Sequence, residues 1–348
     1  MKKIKVGILG ATGAVGQRLV QLLTNHPWFE INSLCASEKS AGKPYGDIVN
    51  WKISTGIPGE IAKLKVGLCE PTIDAKLVFS ALDSSVAGEI EENFAKNGYV
   101  VVSNSRNHRM DSDVPLLIPE VNASHLKLIE IQKKRWGLRG FIVTNPNCTV
   151  CGLTLVLKPL DDAFGVKKVI VTSMQALSGA GYPGVASLDA LDNVIPYIDG
   201  EEEKLETEPL KILGEFKNGR IVDRDLKISA HCNRVSVRDG HTETLTIEFE
   251  KKPARDAIIK VLSGFKGESY KLDLPSAPKK PIVYLPGRDR PQPVLDRNIG
   301  DGMSVAVGRV RESSVLDFKL VLLVHNTIRG AAGAAILNAE LLLAKRLI

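Results

Sequence analysis

Over the first 145 residues, short apolar runs alternate with amphipathic stretches. Residues 4–9 (Ile-Lys-Val-Gly-Ile-Leu) predict a strand, and Val15, Leu19, Leu22 and Leu23 recur on one face of the helix that follows. A second strand spans 31–36. The runs 77–82 and 99–104 are almost continuously apolar, as parallel strands covered on both faces are. Between them, 87–97 reads as a helix, and 141–144 supplies one more strand. Strands alternating with helices in this order predict a doubly wound parallel sheet.

Past residue 165 the pattern changes. Longer, partly alternating runs at 169–174, 242–249, 304–310 and 316–324 predict a mixed or antiparallel sheet, with helices at 254–264 and around 210–216 on one face. This is an α+β pattern. The last stretch, 330–347, is rich in Ala and Leu and predicts a buried helix that returns to the first domain. A chain of 348 residues is too long for one ordinary core. The expected division is 1–147 with 326–348 as a nucleotide-binding domain, and 148–325 as a catalytic and oligomerisation domain.

Composition narrows the partners. Lys+Arg 46 against Asp+Glu 40 gives a net charge of +6, a mild bias that suits an anionic small molecule. No basic run interleaved with aromatics marks a nucleic-acid surface, and no apolar stretch reaches the ~18–20 residues of a membrane span. The acidic cluster at 199–203 reads as a solvated loop or helix start. Five cysteines, an odd and scattered set, fit a reducing compartment, and the N-terminal segment lacks a signal-peptide layout, so the expected location is the cytoplasm.

The first strand feeds Gly10-Ala11-Thr12-Gly13-Ala14-Val15-Gly16. Glycines at a strand-to-helix turn let backbone N–H groups reach a pyrophosphate at the helix N-terminus, the arrangement of a Rossmann-type sheet. The spacing is a variant, G-x-x-G-x-x-G. After the second strand come Ser37, Glu38, Lys39 and Ser40. Two hydroxyls and a lysine suit a 2′-phosphate and favour NADP, whereas Glu38 suits a ribose diol.

In Asn145-Pro146-Asn147-Cys148, Asn-Pro-Asn stops the 141–144 strand and leaves Cys148 at the start of a helical segment, 149–157. A helix N-terminus favours a thiolate, which is what a nucleophile needs. A small buried packing residue fits the same stretch. A second glycine-rich loop, 178–184, follows Gln175, and its Ser178 and Gly179 give a backbone that substrate or cofactor can approach. Arg234 precedes His241 by seven residues, and His241 follows a glycine turn between strands, where a side chain is exposed and aimed.

Together these stretches resemble the aspartate-semialdehyde dehydrogenase family over nearly the whole chain. The resemblance rests on 10–16, 103–110, Pro119-Glu120-Val121-Asn122, 145–148, 175–181 and 234–241, and the 179–184 and 326–333 stretches resemble its archaeal and fungal branch. It implies Cys148 as nucleophile, His241 as acid–base residue and Gln175 as orienting the acyl group. It implies Arg234 on the substrate carboxylate, Arg109, Asn104 and Lys211 on phosphate, and Glu208 on the amine. Gly10, Thr12, Gly13, Val15 and Ser37 would hold NADP, with Asn326 near the nicotinamide, and Ala14, Lys39, Ser40, Ser178 and Gly179 are further expected cofactor-binding residues. A homodimer or homotetramer is implied too, and no metal.

The implied reaction is NADPH-dependent reduction of L-aspartyl-4-phosphate to L-aspartate 4-semialdehyde, in the route to lysine, threonine and methionine. A bidentate arginine suits a carboxylate, cations suit a phosphate and a glutamate suits an ammonium group. Backbone N–H groups after Cys148 are expected to hold the oxyanion. Three rivals share features: an acyl-CoA reductase such as malonyl-CoA reductase, a non-catalytic NADP-binding regulator, and a thiol–disulfide protein resting on Cys148-x-x-Cys151. The last rests on that spacing alone and is the weakest; a zinc site is disfavoured because no second Cys-x-x-Cys and no nearby histidine pair accompany it, and Cys151 is expected to be helix packing.

Overall fold

The structure is a computed structural model, and it describes residues 2–137 and 139–348. Six parallel strands form the first sheet: β1 (Ile4–Leu9), β2 (Phe29–Ala36), β3 (Val66–Leu68), β4 (Leu77–Ser80), β5 (Val100–Ser103) and β6 (Phe141–Thr144). Their order is β3-β2-β1-β4-β5-β6, so the chain winds outward in both directions from β1. Between β1 and β4 the winding reverses, and the crevice beyond the strand ends there is where such sheets bind ligands. Gly10 turns the chain out of β1 with φ +78, a conformation L side chains rarely adopt, and a Cβ there would lie 2.6 Å from the Ala81 carbonyl oxygen.

The second sheet has seven strands, ordered β13-β14-β15-β12-β7-β11-β8. They are β7 (Val166–Gln175), β8 (Val194–Ile195), β11 (Lys227–Val235), β12 (His241–Phe249), β13 (Ile282–Leu285), β14 (Val305–Glu312) and β15 (Phe318–Val324). β7 pairs antiparallel with β12 and parallel with β11, a mixed sheet as the alternating pattern predicts. One face packs against the long helix Cys148–Phe164 and the helix Arg255–Gly264, forming the core around Leu153, Val156, Leu160, Ile258 and Leu262. Along β7, Lys168, Ile170, Thr172 and Met174 point to the other face, where Ile170 stays 43% exposed.

The helix expected at 210–216 lies earlier, at Glu201–Ile212, and the chain then enters the small hairpin β9 (Glu215–Lys217) and β10 (Arg220–Val222). The acidic residues 201–203 form its first turn, where the helix dipole favours them. They are not all solvated: Glu201 is buried.

The C-terminal helix, Gly333–Ala344, packs Ala335, Ile336, Ala339 and Leu342 into the core of the first sheet. Its Glu340 accepts hydrogen bonds from Ser276 and pairs with His26 Nε2 at 2.8 Å, which fastens three parts of the chain together.

Candidate active site

Cys148 stands where the two sheets meet. Asn147 caps the helix: its Oδ1 accepts the Thr149 N–H at 3.0 Å and the Val150 N–H at 3.5 Å. That cap consumes the N–H groups that were expected to form an oxyanion hole. Cys148 is the first helical residue, and its Sγ lies 3.1 Å from Nε2 of His241.

His241 comes from β12, and two other site residues come from neighbouring strands. Arg234 on β11 pairs with Gln175 on β7, and continuing the β7–β12 register one step past Thr242–Met174 brings His241 beside Gln175. Arg234, Gln175 and His241 thus form one cross-strand row, and side chains in register point to the same face. Far from being exposed at its turn, His241 is fully buried. Its Nδ1 accepts the Ala176 N–H at 2.9 Å, so the neutral ring carries its hydrogen on Nε2, directed at Cys148. Burial, with the charges of Arg234 and His325, pushes its pKa down to about 3.

The cysteine does not follow the helix-terminus expectation. Burial pushes the Cys148 thiol up to about 12; Glu201 adds to this, and Arg109, Arg234 and Lys204 oppose it. Desolvation is the largest of these contributions.

Around Cys148 lies a cleft of about 470 Å³ lined by Ala14, Val15, Asn104, Arg109, Gln175, Ser178, Gly179, Glu201, Arg234 and Asn326. Arg234 donates to the Ala176 carbonyl at 2.7 Å. Asn326 accepts the Gly240 N–H at 2.9 Å and donates to Ser178 Oγ at 2.8 Å, tying the glycine-rich loop to the His241 turn. Asn104 accepts from Asn145 at 2.8 Å. At the far end, Gly13 is open: a Cβ there would meet nothing nearer than 3.5 Å, while one at Gly16 would strike the Gly10 carbonyl at 2.2 Å. Gly10 and Gly16 shape the turn and seat the helix, leaving Thr12 and Gly13 facing outward on the loop. Ser37 and Lys39 are exposed and Ser40 half-buried in the turn after β2.

Two expected residues are not brought into the cleft. Lys211 is buried, and its Nζ donates to the carbonyls of Arg109, Asp111 and Val114 at 2.6, 2.7 and 2.9 Å. An ammonium has three hydrogens, and all three are used. Glu208 pairs with Arg109 Nη1 at 3.0 Å and accepts the Asn147 N–H at 2.7 Å. Two carboxylates do line the cleft, Asp199 and Glu201, and sequence reasoning missed the second as a site residue. It accepts from both Asn147 Nδ2 (2.9 Å) and Gln175 Nε2 (3.1 Å), and Lys204 Nζ reaches it at 2.7 Å. Burial would raise its pKa, but Lys204 and these donors hold it below the usual carboxylate range. The available signal was Glu201-x-x-Lys204, which repeats as Glu208-x-x-Lys211 seven residues on.

Cys151 is buried one turn below, and its thiol donates to the Arg329 carbonyl at 3.2 Å. Among the described residues, no group of three His, Cys, Asp or Glu is placed to hold a metal ion.

Two family models match: the semialdehyde dehydrogenase NAD binding domain over residues 5–129 and the semialdehyde dehydrogenase dimerisation domain over 157–329. An aspartate-semialdehyde dehydrogenase of Archaeoglobus fulgidus is 52% identical over 99% of this chain and 100% of its own length. One from Schizosaccharomyces pombe is 49% identical over 99% of both. The crystal structure of the Candida albicans aspartate semialdehyde dehydrogenase with NADP superposes with a TM-score of 0.92 at 45% identity, covering 99% of this chain and 100% of that one. Matched over its full length in sequence and in fold, the chain belongs to the aspartate-semialdehyde dehydrogenase family.

Proposed function

We propose that this enzyme reduces L-aspartyl-4-phosphate to L-aspartate 4-semialdehyde with NADPH, reversibly, through a thioester on Cys148, in the biosynthesis of lysine, threonine and methionine. The observation that carries this is Cys148 Sγ within 3.1 Å of His241 Nε2, in a cleft that also holds Arg109, Arg234 and Glu201.

The substrate's groups find partners. Arg234 takes the carboxylate, Arg109 with Asn104 takes the phosphate, and Glu201 takes the ammonium in place of Glu208. Burial does most to raise the Cys148 thiol, and pairing the ammonium with Glu201 offsets the smaller anionic contribution, so substrate binding moves the thiol towards the thiolate. As Sγ attacks the acyl carbon, the carbon–oxygen bond to phosphate breaks and the thiol proton leaves with the phosphate. Gln175, held by Glu201, orients the resulting thioester. His241 Nε2–H then donates to the oxygen as it gains charge, and collapse releases the aldehyde and the thiolate. His241 thus acts as a fixed donor, a narrower role than acid–base shuttle.

NADP fits the residues present: the open Gly13 turn suits a pyrophosphate, and Ser37, Lys39 and Ser40 suit a 2′-phosphate. Bound along that crevice, with Ser178, Gly179 and Asn326 on the nicotinamide side, the cofactor supplies the hydride. The domain division is 1–147 with 326–348, and 148–325. The match to a dimerisation domain supports a homo-oligomer. The open face of the second sheet, with Ile170 43% exposed, and the exposed Leu188, Leu191, Val194 and Tyr197 fit burial against a second copy, in a homodimer or homotetramer. No helix among the described residues is long and apolar enough to cross a membrane, and the five free cysteines favour the cytoplasm.

The test is reduction of NADP on mixing enzyme, aspartate semialdehyde and phosphate, repeated with Cys148→Ser and Cys151→Ser. Turnover is lost in the first and mostly kept in the second, whose hydroxyl still reaches the Arg329 carbonyl. Turnover with malonyl-CoA and NADPH, and none with phosphate, would favour the acyl-CoA reductase.

A further inference from the structure

The segment Ile328–Ala332 is neither an ordinary helix nor a loop. Gly330 N–H bonds to the His325 carbonyl at 3.0 Å and Ala332 N–H to the Thr327 carbonyl at 3.2 Å, both from residue i to i−5, the widened turn of a π-helix. Such turns cluster at functional sites. This one forms a wall of the cleft through Thr327, Gly330 and Ala331.

Gly330 bears directly on the nucleophile. A Cβ there would lie 2.7 Å from the Cβ of Cys148 and 3.0 Å from its Cα. Its φ is not in the left-handed region, so the glycine is required for space alone.

Three contacts hold this turn. Arg329 is fully buried and makes two parallel bonds to Glu120, at 2.8 and 2.7 Å, and both side chains are 0% exposed. Cys151 donates to the Arg329 carbonyl at 3.2 Å, and Asn145 Nδ2 to the Ala331 carbonyl at 3.2 Å. Glu120 sits in Pro119-Glu120-Val121-Asn122, a stretch to which the proposed reaction assigns nothing. A fully desolvated ion pair is a poor source of net stability, and apolar side chains of the same volume would hold the turn about as well. What the bidentate pair does supply is a fixed direction.

We propose that Arg329 and Glu120 are positioning residues for the nucleophile: their pair sets the turn that presses Gly330 against Cys148 and so fixes Sγ towards His241. Neither touches substrate. They act through one glycine, on the helix face that Cys148 and Cys151 share. Cys151 belongs to the same device as a latch on the Arg329 carbonyl, which gives the second cysteine a role beyond packing.

This rests on Cys148 being the nucleophile, and the experiment separates the two. Full-length Gly330→Ala, Arg329→Lys and Glu120→Gln are compared with wild type in kcat, in KM for aspartate semialdehyde and phosphate, and in the pH profile of Cys148 alkylation by iodoacetamide, read at that residue by mass spectrometry. Circular dichroism at each assay temperature reports the folded fraction. A displacement of about 1 Å at a reacting atom is enough for a loss on the order of 100-fold. Gly330→Ala is expected to lower kcat by about that factor, with both KM values within about threefold and the alkylation profile shifted. Arg329→Lys keeps the charge but not the fork, and its kcat falls by about tenfold or more. Folded Gly330→Ala and Arg329→Lys proteins with wild-type kcat and alkylation profile would overturn the proposal. So would losses that merely track the unfolded fraction. A Cys148→Ser enzyme that still turns over, with wild-type Cys148 inert to alkylation, would count against the nucleophile itself.

Discussion

The helix Glu201–Ile212 carries the same pair twice. Glu201 with Lys204 and Glu208 with Lys211 share one spacing and, seven residues apart, one helical face. Yet they do different work. Glu201 of the first pair lines the cleft, gathering Asn147, Gln175 and Lys204. The second is sealed inside, with Glu208 closed on Arg109 and Lys211 capping three carbonyls of the 109–114 loop. Periodicity reports the direction in which a side chain points. How far along the helix the ligand lies is decided by what the helix packs against, and that is non-local.

The comparison makes the inner pair a matter of stability and the outer pair a matter of turnover. Glu208→Gln should have the largest effect: a buried arginine loses its partner, at a cost of about 3–5 kcal/mol in urea unfolding. Stability unchanged, with KM sharply raised, would return Glu208 to the substrate. Lys211→Met comes next, leaving three carbonyls without their charged donor, and about 3 kcal/mol of stability is expected to go, with phosphate KM little changed. Glu201→Gln should lower kcat/KM for aspartate semialdehyde on the order of 100-fold, about 2.7 kcal/mol. It should also speed Cys148 alkylation at fixed pH, because the anion that raises the thiol's pKa is gone. Slower alkylation would break the assignment.

The smallest effect is a background to all three. Burial lowers His125 and His325 to about 4 and His241 to about 3, from an ordinary 6.5. A folded pKa below the unfolded one means that the unfolded chain takes up protons first as pH falls. The thermal midpoint should therefore hold above about pH 6.5 and decline from there towards 4. A flat midpoint over that interval would mean these rings are open to solvent.

Much of the molecule was legible before folding. The strand at 141–144 has the bounds its apolar run predicts, because a strand buried on both faces has no polar position to blur its ends; 4–9 also has the predicted bounds, although Lys5 near its start is exposed. Asn-Pro-Asn placed Cys148 at a helix start for the same local reason. The rest was not local. That Arg234, Gln175 and His241 share a row follows from β11 pairing with β7 and β7 with β12, partners up to about seventy residues apart in sequence. The direction of the thiol's pKa was missed because a helix terminus is visible in a sequence and desolvation is not. Glu201 was passed over because three consecutive glutamates look like a wetted surface, although one in such a run can face inward.

The closing helix of the chain has a bearing on how the protein is made. Ala335, Ile336, Ala339 and Leu342 belong to the core built on β1, β2, β4 and β5, yet they are translated after every strand of both sheets. A nascent chain that has emerged only as far as β15 displays the first sheet with one flank uncovered. The half that begins synthesis first is therefore the half that finishes folding last. Until that helix emerges the sheet depends on its own surface, or on a chaperone, to keep that flank from sticking elsewhere.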